Sequence, residues 1–437
     1  MKQKKKFLIF LAGLYVVLPF ILLRSSPTEH VIWRWSNLHA LIVVIYSGLV
    51  ALSTGIYVAF DKIGGRLAAG LICVYFLAIF LGDFLIGTYN YYAHQLVREH
   101  PVYHHRLGIG TFRCALTDTT LLDHTYIVKI NAQRLRSAVD TPYRKPEGSY
   151  RILVLGDSFT EGIGVNNDET FCSLIEEQLN AGGENRLRYE VLNAGVESYV
   201  PMIEKLYLVR RGIKFSPDFV IVFLDMGDLM QTQTYLRRAE FDADGNLLGI
   251  RPNRLNWKGE LEVFIRSRFY FVSILYYVLQ NEIAGRPSGR EATLNQVDSE
   301  LFRFSLFADQ SPWQEQWQRL FSDIEEIHRF CSEKNIGFAV AVYPLGHQVS
   351  DGEWDIGRRG YGIPNNYTAP ADVFAMITGE LGRRGISALD LLPAFRAYRG
   401  GKRLYFRNDA HWTKEGHALV AQETAPFLKE KISGSGE

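Results

Sequence analysis

Three long, mainly apolar stretches dominate the first ninety residues. They cover residues 7–23, 38–60 and 67–87, and together they contain a single charged residue, Asp83. A transmembrane helix needs about 20 mainly apolar residues. The pattern therefore predicts a transmembrane region over residues 1–95 with three helices. For the first stretch, a cleaved signal peptide is the alternative, because MKQKKK before an apolar run is typical of such peptides.

Basic residues predict the orientation of these spans. Four lysines lie within the first six residues and two cations in the loop 61–66, whereas the longer loop 24–37 has only two. The excess of cations on cytoplasmic loops then puts the N-terminus in the cytoplasm. The sequence thus predicts a multi-pass cell-membrane protein whose chain after residue 90 is extracytoplasmic, which means periplasmic if the source is a Gram-negative bacterium.

Beyond residue 95 the pattern changes to alternating strands and helices. A connector over residues 96–149 has one strand-like piece, 126–131. The pattern then predicts strands at 150–158, 189–195, 217–226, 336–346 and 386–392, and helices at 168–182, 202–212, 313–334, 369–384 and from 413 onward. Continuous apolar strands alternating with amphipathic helices predict an α/β fold, with a doubly wound parallel sheet covered by helices on both faces. We expect this domain over residues 150–432 and a disordered tail over 433–437.

An insertion over residues 230–312 interrupts the alternation. It contains a hairpin-like piece, 241–250, with the turn signal Asp244-Gly245, and an apolar helix at 261–279 that carries Arg266 and Arg268. This helix either packs against the main domain or lies on the membrane surface, where its arginines would meet anionic headgroups.

Composition narrows the class of protein. The 437 residues include 48 basic and 47 acidic side chains, so the charge balance argues against a nucleic-acid partner. Aromatic residues make up 13%, which excludes a disordered chain. Four cysteines are too few for a disulfide scaffold, and we see no cysteine or histidine pair with the spacing of a metal site.

Candidate chemistry follows the predicted strand ends. Ser158 comes directly after the first strand of the α/β domain, and His411 precedes the last helix, with Asp409 two residues earlier. A serine hydroxyl needs a positioned base to become a nucleophile, and an aspartate can orient that base. The backbone N–H groups of Ser158 and Gly195 could stabilise the developing oxyanion.

Three segments, GDSFTEGIGV, NAGVESY and DAHWTKEGH, together resemble the SGNH, or GDSL, hydrolase family over about residues 150–430. The resemblance implies a flavodoxin-like sheet, Ser158 as nucleophile, Gly195 as oxyanion donor, and Asp409 and His411 as the rest of the triad. It implies no metal and no organic cofactor.

The chain departs from the family pattern at two places. The family's third block is usually Gly-x-Asn-Asp, whose Asn is an oxyanion donor, but here Gly227 stands at the position of that Asn and Asp228 follows. Asp225 or Asp228 could instead cap the next segment. In the last block the spacing is Asp-x-His rather than Asp-x-x-His, so Asn408 is an alternative to Asp409 as the orienting residue. The form Asp-x-His-Trp-Thr resembles proteins related to alginate O-acetylation.

The sequence therefore predicts a membrane-anchored, extracytoplasmic SGNH-type serine esterase that acts on acyl (acetyl) esters of cell-envelope glycan or lipid. An O-acyltransferase of the same superfamily is one alternative. A catalytically impaired, glycan-binding protein is another, and Gly227 motivates it. Protein partners are not predicted.

Overall fold

The structure, a computed structural model, describes most of the chain beyond residue 124. The described residues are 80–81, 84, 98–99, 104–105, 111–115, 124–181, 187–243, 245, 247–251, 257, 261, 264, 300–407 and 409–434. The chain forms two compact units: Met1–Ala93 with Thr117–His124 and Leu255–Asn281, and His94–Leu116 with Thr125–Arg254 and Glu282–Glu437.

The described strands and helices alternate through the second unit. The strands are β1 (Arg98–Glu99), β2 (His104–His105), β3 (Thr111–Ala115), β4 (His124–Val128), β5 (Ser149–Leu155), β6 (Arg188–Asn193), β7 (Phe219–Leu224), β8 (Ala239–Phe241), β9 (Leu247–Ile250), β10 (Gly337–Val342) and β11 (Ser387–Asp390). The α-helices are α1 (Ser158–Glu161), α2 (Phe171–Asn180), α3 (Pro201–Arg210), α4 (Gly227–Leu236), α5 (Glu300–Arg303), α6 (Gln314–Glu333), α7 (Gly346–Val349), α8 (Gly357–Gly360), α9 (Asp372–Arg383), α10 (Leu392–Ala397) and α11 (Lys414–Gly434). Short 3₁₀ turns lie at Asn167–Glu169, Gly212–Phe215 and Ser311–Trp313.

Five of these strands form one parallel sheet in the order β11-β10-β7-β5-β6. This is the flavodoxin-like order, in which the connections reverse direction between the first and third strands, here β5 and β7. The predicted α/β fold with a parallel sheet is confirmed. At such a reversal the loops that follow the two strands diverge and leave a crevice at the carboxyl ends.

Side chains alternate between two cores along each strand. On one face, Leu153, Val220 and Val340 join a buried cluster with residues of α3, α6 and α9. On the other, Ile152 and Ile221 pack against α2 and α11. Because both faces of these strands are covered, β7 and β10 are apolar throughout and β5 is apolar from Ile152 to Leu155, as the sequence pattern predicted.

Elements outside the sheet differ from the prediction in detail. The strand expected at 126–131 is β4, which ends at Val128 and pairs with β3. The expected hairpin is present as β8 and β9, which pair antiparallel, and Gly245 in its turn has φ 82°. Helix α11 extends to Gly434, so the first two residues of the predicted tail are helical.

The predicted transmembrane helices fall outside the described residues except at three positions. Phe80, Leu81 and Phe84, within the third predicted helix, are helical. The apolar helix predicted at 261–279 in the insertion is described only at Leu261 and Phe264, and both residues are helical. Within the described part of the chain, no helix has both the length and the apolar character needed to cross a membrane.

Candidate active site

Ser158 lies on a sharp turn at the carboxyl end of β5. Asp157 caps α1 by accepting the Phe159 N–H at 2.9 Å, and Ser158 is the first helical residue. Gly156 permits this turn, because a Cβ there would lie 2.9 Å from the Thr160 Cβ. The hydroxyl of Ser158 is thereby held at the crevice between β5 and β7.

His411 contacts Ser158 directly. Its Nε2 lies 2.7 Å from Ser158 Oγ, and its Nδ1 forms a hydrogen bond with Asp409 Oδ1. A carboxylate only accepts hydrogen bonds, so Nδ1 carries the proton and Nε2 is free to accept from the serine hydroxyl. The structure thus brings together the three residues predicted as a triad. Asn408, the alternative orienting residue, lies outside the described residues.

A small hairpin presents Asp409 and His411. Tyr405 and Trp412 pair as an isolated antiparallel bridge, and Phe406 N–H donates to the His411 carbonyl at 3.1 Å. The Trp412 side chain is fully buried in the second core, so it anchors the hairpin beside Ser158. Asp409 also accepts the His411 N–H at 2.9 Å, which fixes the carboxylate against the imidazole.

The electrostatics of this pair favour a charged imidazole. Burial opposes charge on His411, but the Asp409 carboxylate outweighs it, with Asp157 and Glu197 adding, so the pKa of His411 is raised. Burial likewise opposes charge on Asp409, but His411 outweighs it and lowers the pKa of that carboxyl. Both shifts stabilise the imidazolium–carboxylate pair that forms when His411 accepts a proton.

The two predicted oxyanion donors differ in availability. Among the described residues, no acceptor is bound to the Ser158 N–H, which begins α1. The Gly195 N–H donates to Asn193 Oδ1 at 3.0 Å, so it would have to leave this acceptor to bind an oxyanion. The glycine also has a packing explanation, because a Cβ at position 195 would lie 2.6 Å from the Thr160 carbonyl carbon.

A strained turn follows Gly195. Tyr199 N–H donates to the Val196 carbonyl at 3.0 Å, and Ser198 within this turn has φ 66°. A positive φ at the third position is the pattern of a type II turn, which glycine normally occupies. A serine there costs about 1–2 kcal/mol, and such strain often occurs near functional sites. Glu197, in the same turn, contributes to the raised pKa of His411, so the turn lies near the triad.

The third block builds a helix cap. Asp225 Oδ1 accepts the Asp228 N–H at 3.1 Å, and Asp228 Oδ2 accepts the Asp225 N–H at 3.2 Å. Gly227 is the first residue of α4 and has no side chain to offer an oxyanion. Any Cβ at Gly227 would lie 3.0 Å from Asp225 Oδ1, so the cap itself restricts this position.

The two aspartates of this cap belong to a group of four buried acidic residues, a feature that the sequence did not reveal. Asp157, Asp225, Asp228 and Glu204 are all at most 6% exposed. Burial, together with the charge of Asp157, raises the pKa of Asp225 to about 8 and that of Glu204 well above its usual range. Tyr343, fully buried, donates its hydroxyl to Asp157 at 3.0 Å.

Glu161, three positions after Ser158, is fully buried, and its Oε2 accepts the Glu197 N–H at 2.9 Å. Glu161 therefore ties α1 to the strained turn.

No cluster of three or more potential metal ligands occurs among the described residues.

Residues 301–437 match the family model described as SGNH hydrolase-like domain, acetyltransferase AlgX. The resemblance to SGNH hydrolases is confirmed for this part of the chain. The matched range 301–437 includes Asp409 and His411, whereas Ser158 lies before this range. A comparison with curated proteins found no match.

A comparison with solved structures gave matches that are distant in sequence. A lipase/acylhydrolase from Enterococcus faecalis is 15% identical with a TM-score of 0.33, covering 64% of this chain and 96% of its own. An acetylxylan esterase from Geobacillus stearothermophilus is 10% identical with a TM-score of 0.32, covering 66% and 96%. A psychrotrophic esterase from Pseudoalteromonas sp. is 11% identical with a TM-score of 0.32, covering 65% and 100%. Likenesses this distant do not identify an activity.

Proposed function

We propose that this protein is a membrane-anchored, extracytoplasmic serine esterase of the SGNH type. The observation that carries the proposal is the continuous contact from Asp409 through His411 to Ser158 Oγ, in which the Nε2–Oγ distance is 2.7 Å. A carboxylate, an imidazole and a hydroxyl in this order activate a serine for attack on an ester carbonyl.

In the proposed reaction, Ser158 Oγ attacks the carbonyl carbon of the ester while His411 Nε2 takes the hydroxyl proton. The Asp409 carboxylate stabilises the imidazolium, in keeping with the raised pKa of His411. The Ser158 N–H, at the start of α1, is a donor for the oxyanion of the tetrahedral intermediate. When the intermediate collapses, His411 returns the proton to the leaving alcohol and an acyl-serine remains.

Water or a second hydroxyl then resolves the acyl-serine. His411 deprotonates the incoming group, a second tetrahedral intermediate forms, and Ser158 leaves as the alcohol. With water the protein is an esterase; with a glycan hydroxyl it is an O-acyltransferase. The transferase alternative is supported by the match of residues 301–437, which include Asp409 and His411, to a domain described as that of an acetyltransferase.

The proposed location follows from the N-terminal sequence. Its three apolar stretches and the lysines before them predict an anchored, extracytoplasmic domain. Exposed apolar side chains on helical positions of the first unit, Phe80, Leu81, Trp257, Leu261 and Phe264, support contact with lipid. A domain in that location would meet acyl esters of cell-envelope glycan or lipid, which we propose as its substrate class.

Fluorophosphonate labelling of the detergent-purified full-length protein tests the activated serine. We expect stoichiometric labelling of the wild type and a loss of at least about a thousandfold in labelling rate for Ser158→Ala and for His411→Ala, because the hydroxyl is a poor nucleophile without its base. Folded wild-type protein that takes no label would overturn the esterase and favour the impaired, glycan-binding alternative.

Product analysis separates hydrolysis from transfer. The protein is given an acetyl ester with and without excess oligosaccharide, and free acetate and acetylated oligosaccharide are both quantified. An esterase releases acetate in proportion to the ester consumed under both conditions. A transferase forms acetylated oligosaccharide at the expense of acetate, and this product depends on Ser158.

A further inference from the structure

The loop 353–361 is fastened to the chain segment that leads into the triad. The Arg407 carbonyl accepts backbone N–H groups of Ile356 at 3.0 Å and Gly357 at 2.7 Å. The Arg407 guanidinium pairs with the Asp355 carboxylate at 2.7 Å. Because Arg407 stands two positions before Asp409 in the chain, these contacts hold the loop at the edge of the candidate active site.

Tyr361 ends this loop with an aromatic ring that is both exposed and held in place. Its residue exposure is 41%, yet the ring forms a T-shaped pair with Phe302, with centroids 4.7 Å apart and planes at 67°, and a tilted pair with Trp354, with centroids 5.5 Å apart. Both partners are buried, and the Tyr361 N–H donates to the Arg358 carbonyl at 3.1 Å. The ring is thus fixed by packing although the residue as a whole remains partly exposed to solvent.

The ring also belongs to the loop that Arg407 holds, two positions before Asp409 in the chain. Burial raises the pKa of the Tyr361 hydroxyl, and the charge of Asp409 raises it further, so the phenol is within electrostatic range of that carboxylate. This charge effect and the contacts of the loop with Arg407 both associate Tyr361 with the Asp409 side of the triad.

We propose that Tyr361 is a substrate-binding residue that packs against the pyranose ring of the sugar whose ester Ser158 attacks. An aromatic face is electronegative and attracts the C–H groups that cover the flat side of a pyranose, and a ring already fixed by neighbours loses little conformational freedom on binding. This rests on the proposed function and narrows its substrate class to a glycan. The phenol hydroxyl at the ring edge suits a polar ligand better than an acyl chain.

Two acetyl esters that differ in the sugar ring test the proposal. β-D-Glucose pentaacetate carries acetates on a pyranose whose two faces are covered by axial C–H groups, and triacetin carries the same acetyl group on an open chain. We expect the wild type to have a higher kcat/KM for the sugar acetate. In Tyr361→Ala the ratio of the two kcat/KM values should fall about five- to tenfold, mainly through KM, because stacking contributes to binding rather than to bond breaking.

Three variants act as controls. Tyr361→Phe keeps the ring and should keep the ratio. Tyr361→Leu keeps apolar packing on Phe302 and Trp354 but loses the aromatic face, so its ratio should fall as in the alanine variant. Tyr143→Ala removes a similarly exposed tyrosine (44%) whose carbonyl bonds Arg151 near the start of β5, and it should keep the ratio. Fluorophosphonate labelling at Ser158 shows that each variant is folded.

The outcomes separate this inference from the proposed function. A wild type without preference for the sugar acetate, or a ratio unchanged in both Tyr361→Ala and Tyr361→Leu, overturns the role of Tyr361 while the esterase stands. Tributyrin, assayed beside the two acetates, carries a longer acyl chain. A selective loss of activity on tributyrin in Tyr361→Ala would mean that the ring contacts an acyl chain, which also overturns the role proposed for Tyr361. A wild type that neither takes the label nor cleaves either acetate overturns the esterase itself.

Discussion

At the scale of single residues, the orientation of one imidazole decides the chemistry. Asp409 accepts from both the backbone N–H and Nδ1 of His411, so the ring can neither rotate freely nor exchange its tautomer without losing a charged partner. Phe159 packs against the same ring with centroids 4.8 Å apart. These contacts keep Nε2 directed at Ser158 Oγ.

Replacing Asp409 by asparagine should change both rate and pH profile. We expect kcat on triacetin to fall about 10³-fold or more, because the amide can hold the wrong tautomer. His411 must be neutral to accept a proton, so activity rises with pH through the pKa of His411. Asp409 raises that pKa and burial opposes it, so the acidic limb should move to lower pH in Asp409→Asn. Steady-state kinetics between about pH 4 and 9 measure this.

The exposed carboxylate of Asp168, which makes no contact with His411, provides the matched control. Asp168→Asn should retain both the rate and the position of the acidic limb. An acidic limb that stays in place or moves upward in Asp409→Asn would show that Asp409 does not set the protonation of His411. Asn408 would then become the candidate orienting residue.

At the scale of elements, the position of Ser158, the proposed nucleophile, depends on how closely β6 approaches α1. Asn193, the last residue of β6, donates its Nδ2 to the Thr160 carbonyl at 2.7 Å. Gly195 then passes so near α1 that a Cβ would overlap the backbone of Thr160 and Glu161. The helix that begins with Ser158 is thus located by its contact with the neighbouring strand.

Gly195→Ala should therefore displace α1, although residue 195 keeps its backbone N–H group. We expect kcat/KM to fall about a hundredfold, since a shift of about 1 Å in a catalytic group has that effect. Stability should fall by about 1–3 kcal/mol, because overpacking forces the backbone to move. Kinetics on triacetin and thermal unfolding measure the two effects.

Gly379, an exposed glycine in the middle of α9 with open space around it, is the control. Gly379→Ala should leave kcat/KM unchanged and raise stability by up to about 1 kcal/mol, because alanine has the higher helix propensity. Full activity in Gly195→Ala would mean that α1 tolerates the added methyl and that its position is set elsewhere.

At the scale of the whole molecule, the proposed transmembrane region over residues 1–95 would decide which substrates the domain can meet. In the proposed topology, which has a cytoplasmic N-terminus and three crossings, the C-terminus would lie outside the cytoplasm. An alkaline phosphatase fused to the C-terminus should be active in a Gram-negative host, whereas green fluorescent protein at the same position should not fluoresce. The reverse pattern, with active protein in the cytoplasm, would exclude cell-envelope esters as substrates.

The alternation of elements was accessible from the sequence because hydrophobic periodicity is local. All five predicted strands of the sheet are present, with ends shifted by one to four residues, and the hairpin forms around Gly245 as its turn signal predicted. Glu161 and Asp157 show the limit. Both are acidic residues beside a serine, and nothing local indicates that the packing of α1 against other elements buries them.

The sequence by itself determined the order of strands and helices, the three apolar N-terminal stretches, and the residue types able to activate a serine. The strand order of the sheet, and with it the meeting of Ser158 and His411 across 253 positions of sequence, was decided only in the tertiary structure. The same holds for the acceptor of the Gly195 N–H and for the exposed ring of Tyr361. Periodicity follows from each element's own residues, whereas hydrogen-bond partners and burial depend on which elements pack together.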